Sequence, residues 1–176
     1  MSRKLLTTMS YLSILLLALF FSGSKNSANQ DKIFTFGYGT LKNISNSYPL
    51  PTQNGQKVFD STLQFQPMQK AFNFRGGISA LYTQNGTFMI GGGISRTLTF
   101  HNIEFNMLLH PSLIYINGND KQRISFPINF RSTAGISYYI TKQISIGFEI
   151  LHISNSTVSH PNSGLDSLKF NIGYRF

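Results

Sequence analysis

Three side chains near the C-terminus are of the types that catalysis by a hydroxyl nucleophile needs: His152, Ser154 and Asp166. A serine hydroxyl is a poor nucleophile at neutral pH until an imidazole takes its proton, and a carboxylate must orient that imidazole. His152 and Ser154 are two positions apart, so an extended strand puts them on one face. Asp166 opens the next alternating segment, on the register of that segment's apolar positions. A polar connection, 155–165, joins the two segments. A nucleophile, a base and an orienter therefore converge where the ends of two neighbouring strands meet. Taken singly, a His and a Ser at a strand end are ordinary rim residues. Three matching roles on one face make the stronger case, but the trio alone does not specify the acyl donor.

Strands must supply that geometry, and strands are what the pattern predicts. No amphipathic helix of useful length follows residue 24, and period-2 alternation recurs instead. In 166–176 the even positions Leu168, Phe170, Ile172, Tyr174 and Phe176 are apolar, while the odd positions are polar or small. In 124–140 Ile124, Phe126, Ile128, Phe130, Ala134, Ile136, Tyr138 and Ile140 share a face that only Ser132 interrupts. Similar segments cover 103–115, 88–100, 72–82 and 143–154, with weaker ones at 32–40 and 59–68. The total is about eight, an even number, as bacterial membrane barrels require. Connections 41–57, 117–121 and 155–165 are polar and long, whereas those near 67–70, 101 and 141–142 are tight. Gln84-Asn85-Gly86 reads as a hairpin turn.

Two all-β architectures share this alternation. A soluble, lipocalin-like barrel hides its apolar face, and a membrane barrel shows it to lipid. The N-terminus favours the second. Arg3 and Lys4 precede an apolar run, 11–21, and then the small residues Ser22, Gly23 and Ser24. This is the layout of a secretory signal over 1–24, with a cut near Ala28 as the alternative. The exported part, 25–176, is expected to form one barrel domain. Its strands are long, their polar face is rich in Gly, Ser, Asn and Arg, and the chain closes on an aromatic residue. The predicted fold is all-β, an eight-stranded antiparallel transmembrane β-barrel of outer-membrane type.

Composition removes other classes. The 176 residues contain no cysteine, which excludes disulfide scaffolds, thiol nucleophiles and Cys-type zinc sites. No apolar run is long enough for a spanning helix. The net charge of +9 is scattered rather than clustered, which argues against nucleic-acid binding and suits anionic lipid head groups.

The residues His152-Ile153-Ser154-Asn155, followed by Pro161-Asn162-Ser163-Gly164-Leu165-Asp166, resemble the C-terminal signature of the lipid A 3-O-deacylase (PagL-like) family. The pattern is H-x-S-N, a short loop, N-x-G-x-D/E and a closing alternating strand. The likeness covers 152–176; elsewhere only architecture and length agree. The resemblance implies an outer-membrane esterase that removes the 3-O-linked acyl chain of lipid A and releases a 3-hydroxy fatty acid. It makes Ser154 the nucleophile, His152 the general base and Asp166 the acidic member. Asn162, with Asn155 or backbone N–H groups beside it, would form the oxyanion hole. It implies no cofactor and no metal. The implied partners are lipid A or lipopolysaccharide as substrate and the lipids of the bacterial outer membrane, with the site on the outer-leaflet side. The sequence allows a homodimer without requiring one. Two departures stand out. The family's familiar acid is Glu, one methylene longer than Asp166. Ser156-Thr157 stands where an Ala-Gly pair is usual, which bears on an oxyanion N–H that needs unusual φ.

Remaining candidates are weaker. His160 has no counterpart in the motif, and His101 and His110 lack ligand spacing. Gly91-Gly92-Gly93 reads as a bend or close packing within a strand. Asn43, Asn85 and Asn155 open N-x-[ST] triplets that carry little meaning in a bacterial envelope. Arg131 and Glu149 fall on inward registers and are expected to form an interior ion pair. Other readings are a non-enzymatic small barrel, a soluble lipocalin-like binder and an esterase acting on another membrane lipid.

Overall fold

Alternating β-branched and aromatic residues build eight strands. They are β1 (Ile33–Lys42), β2 (Lys57–Gln69), β3 (Phe74–Thr83), β4 (Phe88–Phe100), β5 (Ile103–Tyr115), β6 (Ile128–Tyr139), β7 (Ile144–Ser154) and β8 (Leu165–Arg175). The structure is a computed structural model and describes residues 32–42, 55–69, 74–117, 127–155 and 164–176. The expected signal, 1–24, lies outside the described residues, as do Asn162 and His160. Each strand pairs antiparallel with the next, and β8 pairs back with β1 to close a barrel. Closure leaves no open edge, which a sheet in hydrocarbon cannot tolerate. The strand expected over 124–140 is present from Ile128 to Tyr139, and 124–126 lie outside the described residues.

Turn chemistry sets the register. In the β3–β4 hairpin, Gly86 takes φ +84° and its N–H donates to Thr83 O at 2.9 Å. The Thr87 N–H donates to Thr83 Oγ1 at 3.2 Å. His101 turns β4 into β5 at φ +54°, a left-handed value unusual for a residue with a Cβ. Within the wall, a Cβ on Gly91 would collide with Ser112 Oγ, and one on Gly93 would collide with Leu109 O. The glycine run is therefore a close backbone approach, as its sequence suggests.

Burial decides between the two barrel types. On β7, Phe148 and Ile150 are 57% and 55% exposed, while Glu149 between them is 5% exposed. The same inversion holds around the wall: Phe36, Ile78, Phe105, Ile136 and Phe170 face out, while Arg75, Gln64, Asn129 and Lys169 face in. This is the reverse of a lipocalin. A wall of apolar side chains over a polar lumen suits lipid outside.

The lumen is held by charge. The expected Arg131–Glu149 pair is present at 3.9 Å, but it is the longest edge of a four-member cluster. Asp60 accepts from Arg131 Nη2 at 2.6 Å and also from Lys169 Nζ. Lys169 Nζ meets Glu149 Oε1 at 2.6 Å, and Asn171 donates to Glu149 Oε2 at 3.2 Å. Nearer the short turns, Glu104 accepts from Tyr139 OH at 2.9 Å and from Arg175 Nη2 at 3.1 Å. Two cations facing two carboxylates make the central cluster neutral, which is what allows it to be buried.

At the long-loop end the lumen turns apolar. Leu41, Val58, Leu81, Met89, Ile114, Leu151, Ile153 and Leu165 form one buried cluster. Leu151, Ile153 and Leu165 are the inward neighbours of the candidate residues His152, Ser154 and Asp166. A buried apolar cluster thus backs the strand ends that carry the site.

Candidate active site

β7 and β8 are adjacent and antiparallel, and their register sets His152 directly opposite Asp166. Directly opposed residues project from the same face of a sheet. Here that face is the outer wall. His152 Nδ1 lies 2.7 Å from Asp166 Oδ1, a short bond of the charge-assisted kind. A carboxylate can only accept, so Nδ1 carries a proton in this bond, and in the neutral imidazole Nε2 keeps the lone pair that can accept. His152 is 49% exposed and Asp166 is 14% exposed. The base is open to the lipid side while its orienter is largely covered.

Ser154 follows on the same face of β7, half-buried, opposite Phe130 of β6. Among the described residues no hydrogen bond joins Ser154 Oγ to His152. Such contacts commonly tighten only when substrate is bound. On the other side of His152 stands Ser132 of β6, whose Oγ is 3.5 Å from the His152 carbonyl oxygen. The polar interruption in β6 that alternation exposes is thus the lateral neighbour of the base.

The expected site residues divide into three groups. His152, Ser154 and Asp166 come together on the outer wall at the long-loop end. Asn155 falls on the inward register and is fully buried, so its side chain does not share the face of Ser154. Asn162 lies outside the described residues. The alternation that brings His152 and Ser154 together is the same alternation that turns Asn155 inward. Gly164, φ +72°, stands against the imidazole at the entry to β8. Its place in the motif is visible in the sequence; its contact with the ring is not.

Below the site the outer wall is hollowed. The next outward row toward the short turns is Leu168, Ile150, Ala134 and Met107, each opposite the next across β8, β7, β6 and β5. Ala134 is the small member, and beside it opens a groove of about 500 Å³. Leu98, Phe105, Ile136 and Phe148 complete its apolar lining.

A closed eight-stranded barrel with an apolar exterior and a charged lumen, carrying a His–Asp pair and a serine on one outward face, defines a class: a membrane β-barrel of outer-membrane type. The family model described as lipid A 3-O-deacylase (PagL) matches residues 69–175, and the chain belongs to that family. Family membership implies hydrolysis of the 3-O-acyl ester of lipid A by an outer-membrane enzyme. Among solved structures, the crystal structure of the outer membrane enzyme PagL is similar at TM-score 0.59 and 14% identity, covering 81% of this chain and 98% of that one. Neisserial surface protein A is similar at TM-score 0.56 and 9% identity, covering 86% of this chain and all 100% of that one. A de novo designed transmembrane β-barrel is similar at TM-score 0.55 and 11% identity, covering 86% of this chain and 100% of that one. At such identities these likenesses concern the fold alone. None of the curated proteins is a significant match.

Proposed function

We propose that this barrel cleaves the 3-O-acyl ester of lipid A in the outer leaflet by a Ser154-His152-Asp166 mechanism. The observation that carries the reading is the 2.7 Å bond between His152 Nδ1 and Asp166 Oδ1 on the lipid-facing wall, two positions along β7 from Ser154 on the same face. Ser154 Oγ attacks the ester carbonyl carbon while its proton passes to His152 Nε2. The imidazolium that forms is stabilised by Asp166 through Nδ1–H. The negative charge on the former carbonyl oxygen needs donors beside Ser154. Asn162 and the backbone N–H of Asn155 fill that role in this reading; the burial of the Asn155 side chain favours its backbone over its amide. Collapse breaks the bond to the sugar oxygen, which takes the proton from His152. Water, deprotonated by the same imidazole, then releases the 3-hydroxy fatty acid and restores Ser154.

Placement supports the substrate class. An acyl chain beside the outer wall can reach Ser154 without the lipid leaving the leaflet. The groove under Ile150 and Ala134 offers that chain an apolar track. Ala134→Phe fills the track, and a blocked apolar subsite of this size costs about 10- to 100-fold in kcat/KM for a long-chain ester. A short, water-soluble ester, which does not use the track, should be hydrolysed within about twofold of the wild-type rate. Equal losses on both esters would refute the track.

The nucleophile is tested directly by labelling. A lipid-tailed fluorophosphonate added to intact cells should modify Ser154, identified by peptide mass spectrometry, and should fail to modify the His152→Ala variant. Absence of label on the wild-type barrel, or equal label on both, would overturn the mechanism and favour a barrel without catalysis.

A further inference from the structure

We infer that Gly164 is a positioning residue: its missing side chain leaves the space in which the His152 imidazole can lie while bonded to Asp166. The inference rests on the esterase reading and adds a residue to it. Two independent observations converge at this position. Gly164 holds φ +72°, so the chain enters β8 through the left-handed region. A Cβ placed there would lie 3.1 Å from His152 Cε1, 3.7 Å from His152 Nδ1 and 3.1 Å from the carbonyl oxygen of Ile153. Cε1 is the ring atom between the two nitrogens, so a methyl group would press on the edge that holds both Nδ1 and Nε2. The Ile153 carbonyl belongs to the backbone of β7 and cannot yield. The ring can yield by a few tenths of an ångström, because it is half exposed, and any such shift disturbs a bond to Asp166 Oδ1 that is only 2.7 Å long. A glycine one residue before Leu165 thus does more than turn the chain. It keeps the imidazole edge clear on the side from which the loop arrives, with Asp166 two positions later to fix its direction.

Backbone strain and lost ring space are separable by choice of side chain. Asparagine tolerates left-handed φ, yet still carries a Cβ. Gly164→Ala should suffer both penalties and Gly164→Asn only the steric one. Both variants should lower kcat at least tenfold on an ester substrate, with KM within about twofold. Both should still fold, as judged by the heat-dependent gel migration of the intact barrel. The decisive readout is the proton NMR signal of His152 Nδ1–H in detergent-solubilised full-length barrel. Its downfield position reports the short bond to Asp166, and it should move upfield or broaden in both variants. This arm reads the hydrogen bond whatever the substrate proves to be, so failure of the lipid A assignment would leave it intact. Two results would each overturn the inference. One is a Gly164→Asn barrel with wild-type kcat, which would reduce Gly164 to a turn residue. The other is an unchanged Nδ1–H signal in both folded variants. If neither variant folds, Gly164→Ser at low temperature with the same NMR signal decides, and an unchanged signal there also overturns it.

Discussion

His152→Ala should lower ester turnover by about four orders of magnitude, with the barrel folded as before. The size of the effect follows from the chemistry left behind. Without the imidazole, Ser154 must lose its proton to water, and the leaving sugar oxygen must depart without a proton donor. Only the oxyanion donors and the bound chain continue to help, which is why some acceleration survives. Folding should be spared because His152 points outward and is 49% exposed, so its removal opens no interior cavity. Asp166→Asn should follow with a loss of similar order. An amide can donate to Nδ1 and so favour the wrong tautomer, putting the proton on the nitrogen that must accept from Ser154. Initial rates on purified barrels in detergent check both. A His152→Ala barrel that keeps more than about a tenth of wild-type turnover contradicts a general-base role.

The second large effect concerns stability. Asp60→Ala should destabilise the barrel by about 3–5 kcal/mol, read from urea unfolding in lipid vesicles. Asp60 is 4% exposed and accepts from Arg131 and Lys169, each 1% exposed. Its removal leaves two buried cations to share Glu149, and the cluster acquires a net positive charge away from water. That uncompensated charge, more than the lost hydrogen bonds, is the source of the cost. The pairing of effects is itself a test. Asp60→Ala with Lys169→Met restores neutrality and should recover much of the loss. The two changes should therefore be strongly non-additive, as expected for groups in one network. A loss under about 1 kcal/mol for Asp60→Ala would mean that the lumen admits enough water to solvate the cations. Turnover should change little in folded Asp60 variants, because the cluster lies on the opposite side of the wall from His152.

Much of this architecture is legible in the sequence because a membrane barrel writes its two faces in alternate letters. The eight strands and the His152–Ser154 face follow from period 2. Alternation also places Arg131 and Glu149 in the lumen. It does not reveal Asp60 and Lys169 as their partners: Lys169 stands opposite Glu149 only through the β7–β8 register, and Asp60 on β2 meets Arg131 and Lys169 only once the barrel closes. The apolar layer of Leu151, Ile153 and Leu165 is harder to see. These residues fall on the nominally polar face, at strand ends where the alternation inverts and the outward positions become the polar His152, Ser154 and Asp166. The His152–Asp166 contact depends on the β7–β8 register, which the motif suggests and only the ladder fixes. Asn155 illustrates the opposite case: motif adjacency groups it with Ser154, while strand geometry turns it inward. The contact of Gly164 with the imidazole edge has no sequence signal beyond a glycine at a loop end, where a turn is the ordinary explanation.

The most direct measurement is mass spectrometry of lipid A from cells producing this barrel, beside cells producing Ser154→Ala. The account predicts loss of one 3-hydroxyacyl mass with the wild type and intact lipid A with the variant. Intact lipid A in both, with the barrel folded in the outer membrane, would contradict the assigned substrate. Equal loss in both would contradict Ser154 as the nucleophile.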